Sequence, residues 1–326
     1  MKHSLLILLF VASLLRAGDY TIGSGIKIGK LPVYAGGYIT LDQLIRNDNY
    51  NRFRIDDIAF ITYGDYKRFS YLSELEVKNG YVKEWGKRDT TKTNMRLNIE
   101  RLYLNYTYDD KLEVRLGKFN TPVGYWNLTP IGVLRDSASN PYLAYILYPR
   151  YTTGVQISYE DHLNNANAYT LIIQHNNDLD DNYNNIIVNR HNIIGIEHIG
   201  EEISYKANIG YFRTTSNKDF YYFLLSLLYE RETYKISAEY GARRDRERWS
   251  VPYAFYMQGV YHLAAKHDII GRLESYKIDE GVKRHENIGV IGYTYRPIYP
   301  MTYKIEYQLR SYTNESQIKL SFSILF

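Results

Sequence analysis

Charged side chains recur at every second position in several segments of this chain. Lys111, Arg115, Lys206, Lys235, Arg243, Arg272, Lys304, Arg310 and Lys319 outnumber Glu113, Glu239, Asp268, Glu274 and Glu306 at such positions. Successive side chains of an extended strand point to opposite faces, so each of these charges shares a face with polar neighbours. A wall of such faces around water selects ions, because low-dielectric surroundings focus the field into the passage. Excess cationic lining favours anions. Bond-breaking chemistry has less support. The histidines beyond residue 17 are His162, His175, His191, His198, His262, His267 and His285, and none sits in a serine-nucleophile or metal-ligand spacing. His262 and His267 straddle an expected turn, unlike a helical zinc pair. His198, after Glu197, marks a strand edge. Gly23-Ser24-Gly25 and Gly36-Gly37 lack the strand-loop-helix setting and Lys-Ser/Thr pair of a phosphate loop. Asp56-Asp57 and Asp180-Asp181 fall near loops or strand ends and indicate calcium only weakly.

The segments that carry these charges read as strands. At the C-terminus Ile318, Leu320, Phe322, Ile324 and Phe326 oppose Gln317, Lys319, Ser321 and Ser323. Ile305, Tyr307 and Leu309 oppose Lys304, Glu306, Gln308 and Arg310, and equivalent patterns run through 203–211, 234–243 and 111–117. Charges along one face are costly in a dry sandwich core but natural in a barrel that holds water. Turn signals divide the chain into about sixteen strands, near 36–46, 53–63, 67–78, 96–108, 111–118, 152–160, 167–175, 188–198, 202–213, 220–231, 233–243, 253–264, 266–277, 284–296, 300–312 and 316–326. The alternation slips within 53–63 and 284–296, where a bulge is expected. Connections after even-numbered strands are short, whereas several after odd-numbered ones are long, notably 79–95, 119–151, 176–187 and 244–252. That asymmetry is the one outer-membrane barrels show between periplasmic turns and outer loops.

The start of the chain gives the compartment. Lys2 and His3 precede an apolar run from Leu5 to Leu15, followed by Arg16, Ala17 and Gly18. This is the pattern of a secretory signal peptide, with cleavage expected after Ala17. The run is shorter than the roughly 20 residues of a spanning helix. There is no cysteine, and 36 tyrosines stand against 11 phenylalanines and 3 tryptophans. Tyrosine suits two girdles at the acyl–headgroup boundary. The mean hydropathy of -0.42 with 45% hydrophobic residues fits half-polar strands. The net charge of +4, less Lys2 and Arg16 of the signal, is too small and too dispersed for nucleic acid.

The longest connection, 119–151, is rich in apolar and aromatic residues such as Trp126, Ile131, Leu134 and Tyr145. Loops of that length are usually functional or disordered, and this composition argues against disorder. It is the third outer loop by strand count. Its start, Leu116-Gly117-Lys118-Phe119-Asn120-Thr121-Pro122-Val123-Gly124, resembles the strand-to-loop motif of the phosphate-selective porin O/P family. Gly117, Lys118, Phe119, Thr121, Pro122 and Gly124 carry the resemblance, over about a dozen residues. It implies a sixteen-stranded barrel with an inward-folded third loop, usually a homotrimer, passing small anions by diffusion. The family's binding lysines and arginine ladder have no residue-by-residue match here.

The expected organisation is a signal peptide over 1–17, a periplasmic lead-in over 18–35 and an all-β transmembrane barrel over 36–326. Candidate pore-lining or constriction residues are Arg115, Arg135, Asp136, Arg150, Lys235, Arg243, Lys304 and Arg310. Phe326 looks like the terminal aromatic that bacterial outer-membrane barrels present to their assembly machinery. The expected partners are the lipid bilayer, that machinery, small ionic solutes and two further copies of the chain. No cofactor or metal and no catalytic residue is expected. A barrel enzyme and a non-conducting adhesin or structural barrel are the alternatives.

Overall fold

The computed structural model describes residues 23–30, 32–86, 89–93, 95–161, 166–180, 185–281, 283–313 and 315–326. The expected signal peptide, His162 and Asp181 lie outside the described residues. Sixteen antiparallel strands form a closed barrel. In chain order they are β1 Val33–Arg46, β2 Asn51–Tyr66, β3 Phe69–Trp85, β4 Arg96–Thr107, β5 Leu112–Asn120, β6 Tyr151–Asp161, β7 Asn167–Gln174 and β8 Val188–His198. There follow β9 Ile203–Thr214, β10 Asp219–Glu230, β11 Tyr234–Arg244, β12 Trp249–Ala264, β13 His267–Ile278, β14 Arg284–Tyr295, β15 Met301–Arg310 and β16 Glu315–Leu325. Two short ribbons, Ile26–Lys27 and Thr90–Lys92, add to β1 and β3. Among the described residues, no helix is long and apolar enough to cross a membrane. Closure lets every strand pair on both edges, which a spanning sheet requires.

The alternation read from the sequence is the alternation of the wall. In β15 Thr302, Lys304, Glu306 and Gln308 are buried inside, while Tyr303, Ile305, Tyr307 and Leu309 are exposed outside. Outward side chains such as Ile194, Ile209 and Leu273 are more than half exposed, as an apolar belt facing acyl chains must be. Rings cluster at the rim that carries the C-terminus. Phe69 meets Tyr106, Tyr159 meets Tyr169, Tyr229 meets Tyr234, and Tyr303 meets both Tyr295 and Phe322. Toward the opposite rim the pairs are sparser: Phe53 with Tyr81 and Tyr211 with Tyr221. Turns are tightened by side chains, as at Asp109, where the backbone N–H groups of Lys111 and Leu112 hold the carboxyl below the usual range.

Three expectations change. The strands run further than their alternation indicated, so β3 continues to Trp85 and the long connection at 244–252 shrinks to a turn at 245–248. Polar residues at strand ends still pair along the ladder once they leave the membrane. The barrel likewise begins at Val33 rather than 36. The expected bulge in β2 is present at Asp56, but β14 keeps an unbroken register with both neighbours. In β14 the slip was compositional: Ile288 and Val290 face inward against apolar material instead of water.

The seam between β16 and β1 closes the cylinder, from Gln317 opposite Arg46 to Leu325 opposite Tyr38. Gly37 N–H donates to Phe326 O at 2.7 Å, and Phe326 N–H donates to Gly37 O at 2.7 Å. A Cβ on Gly37 would stand 2.2 Å from Ala59 O and 3.0 Å from the Phe326 ring. The Gly36-Gly37 pair is therefore the seat of the terminal residue. Gly37→Val should destabilise the closed barrel by about 1–3 kcal/mol through overpacking. The expected readout is a lower temperature for the folded-to-unfolded band shift in detergent electrophoresis. Gly289→Val, whose Cβ would meet nothing within 4 Å, should leave that temperature unchanged, and equal behaviour of the two variants would contradict the seam.

Candidate functional site

The connection between β5 and β6, residues 121–150, enters the barrel. Its base is clamped: Thr121 N–H donates to Arg150 O at 2.8 Å, and Asn127 Nδ2 donates to Thr121 O and Arg150 O at 2.7 and 2.8 Å. The motif at its start explains the entry. Gly117 holds φ at +130°, and a Cβ there would lie 2.1 Å from Leu102 O. Phe119 is fully buried, and Lys118 is buried with its Nζ 3.4 Å from Asp180 O. Thr121 Oγ1 meets Thr152 Oγ1 at 2.8 Å, and Pro122 is buried. Gly124 adopts φ +67°, which brings the Glu239 carboxylate to 2.5 Å from where a Cβ would be. That carboxylate accepts the N–H groups of Tyr125 and Trp126 at 2.6 and 3.0 Å.

Beyond this point the loop crosses the lumen on two kinds of contact. One side is dry: Val123, Leu143, Leu147 and Tyr148 pack with the inward residues Ile172, Ile193, Phe212, Leu224, Val251 and Tyr256. The other side is held by charge on backbone. Lys304 Nζ donates to Gly132 O at 2.5 Å and Lys319 Nζ to Ala138 O at 2.7 Å. Arg272 donates to Ser137 Oγ and Ser139 O, both at 3.0 Å. Carboxylates take the N–H groups, Glu306 from Ala138 at 2.5 Å and Glu274 from Tyr142 at 2.7 Å. Inward charges on β11, β13, β15 and β16 thus pair with backbone groups of an irregular loop, as burial requires.

A polar cavity of about 420 Å³ lies between the loop and the walls of β1–β4, β15 and β16. Of the residues expected to line a constriction, Arg135, Arg150, Lys304 and Arg310 border it. Arg135 donates to Thr129 O at 2.7 Å and Asn140 Oδ1 at 2.6 Å. Arg150 lies over the rings of Tyr145 and Tyr151. Arg310 pairs with Glu286 at 2.8 Å. The other candidates are engaged elsewhere. Asp136 joins Lys235 at 2.6 Å and Arg296 at 3.4 Å, fastening the loop. Arg243 pairs with Glu280 at 2.9 Å, and Arg115 donates to Asn105 Oδ1 at 2.8 Å over the Tyr103 ring.

The opposing wall escaped the sequence reading. Asp56, Asp57, Glu74, Glu76 and Glu100 face the loop arginines with Arg54 and Lys78 among them. Glu74, Glu76 and Lys78 alternate with outward Leu75 and Val77, a signal legible in the sequence. Asp56 and Glu100 sit at register shifts, beyond which the alternation changes phase and Asp57 also turns to the cavity. Apolar inward positions such as Ile172 and Leu224 carried no charge to mark them, and the loop covers them. His191, between Thr152 Oγ1 and Tyr222 OH at 3.0 Å each, is fully buried.

A closed sixteen-stranded antiparallel barrel is the fold of the outer-membrane porins. A Salmonella typhi OmpF complex with daunomycin superposes with a TM-score of 0.67 at 12% identity, covering 90% of this chain and 97% of that one. The trimer form of OmpT, an outer membrane protein of Vibrio cholerae, gives 0.65 at 12% identity over 90% and 99%. An anion-selective porin from Comamonas acidovorans gives 0.63 at 9% identity over 90% and 99%. No family pattern and no characterised sequence matches the chain.

Removing the loop's main acceptor tests its role. Glu239→Ala leaves the buried N–H groups of Tyr125 and Trp126 unpaired, at about 1–3 kcal/mol each. The loop should loosen and single-channel conductance should rise by a factor of about two, since the narrowest ring governs flow. A conductance equal to that of the parent would show that the loop does not set the aperture.

Proposed function

We propose that this chain is an outer-membrane porin, a water-filled channel through which small hydrophilic solutes diffuse passively. The polar cavity left between the loop and the β1–β4 wall carries this reading. Its lining supports a preference for anions. Eight basic side chains (Arg52, Arg54, Lys78, Arg135, Arg150, Lys304, Arg310 and Lys319) border it against six acidic ones (Asp42, Asp56, Asp57, Glu74, Glu76 and Glu100). In a narrow water column with low-dielectric walls, such an excess raises the local concentration of counter-ions of the opposite sign. The preference is modest, because Lys304 and Lys319 also serve loop carbonyls. The likeness to a barrel described as an anion-selective porin points the same way. The reading includes export through a cleaved signal peptide and assembly as a homotrimer, for which the likeness to a trimeric barrel is the support.

Reversal potentials across a planar bilayer in a potassium chloride gradient test the channel and its sign together. The expected result is stable conductance with chloride more permeant than potassium. Cation preference would reverse the assignment of sign, and a purified, folded barrel without conductance would end the channel reading.

A further inference from the structure

The cavity between the loop and the β1–β4 wall separates two kinds of charge. On the loop, Arg150 is 6% exposed. Its guanidinium lies 5.3 Å from the Tyr145 ring centre and 5.8 Å from that of Tyr151. Its Nε has no hydrogen-bond partner. Among the described residues, neither Arg150 nor Arg135 has a carboxylate oxygen within ion-pair distance. On the wall the imbalance is opposite. Lys78 Nζ lies 2.8 Å from Asp57, 2.6 Å from Glu76 and 3.6 Å from Glu100, so Asp57 and Glu76 share one ammonium. Both groups border the same space.

A buried charge without a partner is expensive, and the two imbalances border one polar cavity. A simple anion on the arginines would leave the carboxylates uncompensated and feel their repulsion. A simple cation among the carboxylates meets the reverse problem. A solute with a carboxylate at one end and an ammonium at the other satisfies both. The volume of about 420 Å³ lies within the roughly 300–1,000 Å³ usual for small-ligand sites.

We infer that the constriction binds zwitterionic solutes, free amino acids and short peptides, with their carboxylate on Arg135 and Arg150 and their ammonium at Asp57, Glu76 and Glu100. This rests on the channel reading and gives it a substrate class.

The test uses the full-length barrel in planar bilayers with L-alanine and alanylalanine as probes, and acetate and ethylammonium as their separate halves. Saturable interruption of the current by the zwitterions is expected. Either half alone should be weaker by about tenfold or more, as expected when one charged hydrogen-bonding end is lost. Arg150→Gln and Asp57→Asn should each weaken the zwitterion block by a similar factor. Calorimetry of alanine binding to the detergent-purified protein reads the same site without current, and the two variants should weaken it in parallel. Acetate blocking as strongly as alanine would make this an anion site and overturn the inference. So would zwitterion affinity unchanged in both variants, or a conducting barrel showing neither block nor heat. A barrel that binds alanine but does not conduct would overturn the channel reading and leave this site standing.

Discussion

The structure depends on one constraint: in hydrocarbon, each backbone N–H and C=O must be paired within the protein. A sheet meets it only by closing, and this chain closes where β16 meets β1. The requirement reaches to the last residue, whose backbone pairs with Gly37 in both directions. Glycine at 36 and 37 is the consequence, because a side chain there would occupy the space of Phe326 and of the Ala59 carbonyl. The terminal aromatic and the glycine pair, nearly 300 residues apart in sequence, are two halves of one joint.

The same constraint governs the loop inside the barrel. An irregular segment of thirty-odd residues carries unpaired backbone groups into a confined space, and something must satisfy them. Lys304, Lys319 and Arg272 meet its carbonyls, while Glu239, Glu306 and Glu274 meet its N–H groups. Charges that read as a free lining are therefore in part scaffolding. Among the charges that border the cavity without serving the loop backbone are Arg150 and the carboxylates around Lys78. The dry packing of Leu143, Leu147 and Tyr148 against Ile193 and Leu224 displaces the water-filled space toward β1–β4.

Most of the barrel was legible in advance. Period-two polarity has a direct physical origin, since alternate side chains meet lipid and water, and so strand number and inward faces followed from composition at alternate positions. Boundaries were less legible, as in β3 and around 244–252, because strand ends beyond the membrane continue to pair without needing an apolar face. The lining of the cavity was half legible. Arg135 and Arg150 stood out by lying in the longest connection. Asp56 and Glu100 mark register shifts, and a bulge there reverses the facing of the residues after it, such as Asp57.

By itself, the sequence determined the class of fold, the face of the charges in strands of unbroken register, the turn asymmetry and the identity of the long loop, because these depend on residues near one another in the chain. Tertiary structure alone decided which charges remain available to solutes. Lys235 and Asp136 neutralise one another across the lumen, and Lys304 is taken by a carbonyl of a loop more than 160 residues earlier. Arg150 keeps its charge without an anionic partner among the described residues. Pairing between distant segments depends on how the loop lies in three dimensions, and local periodicity holds no record of it.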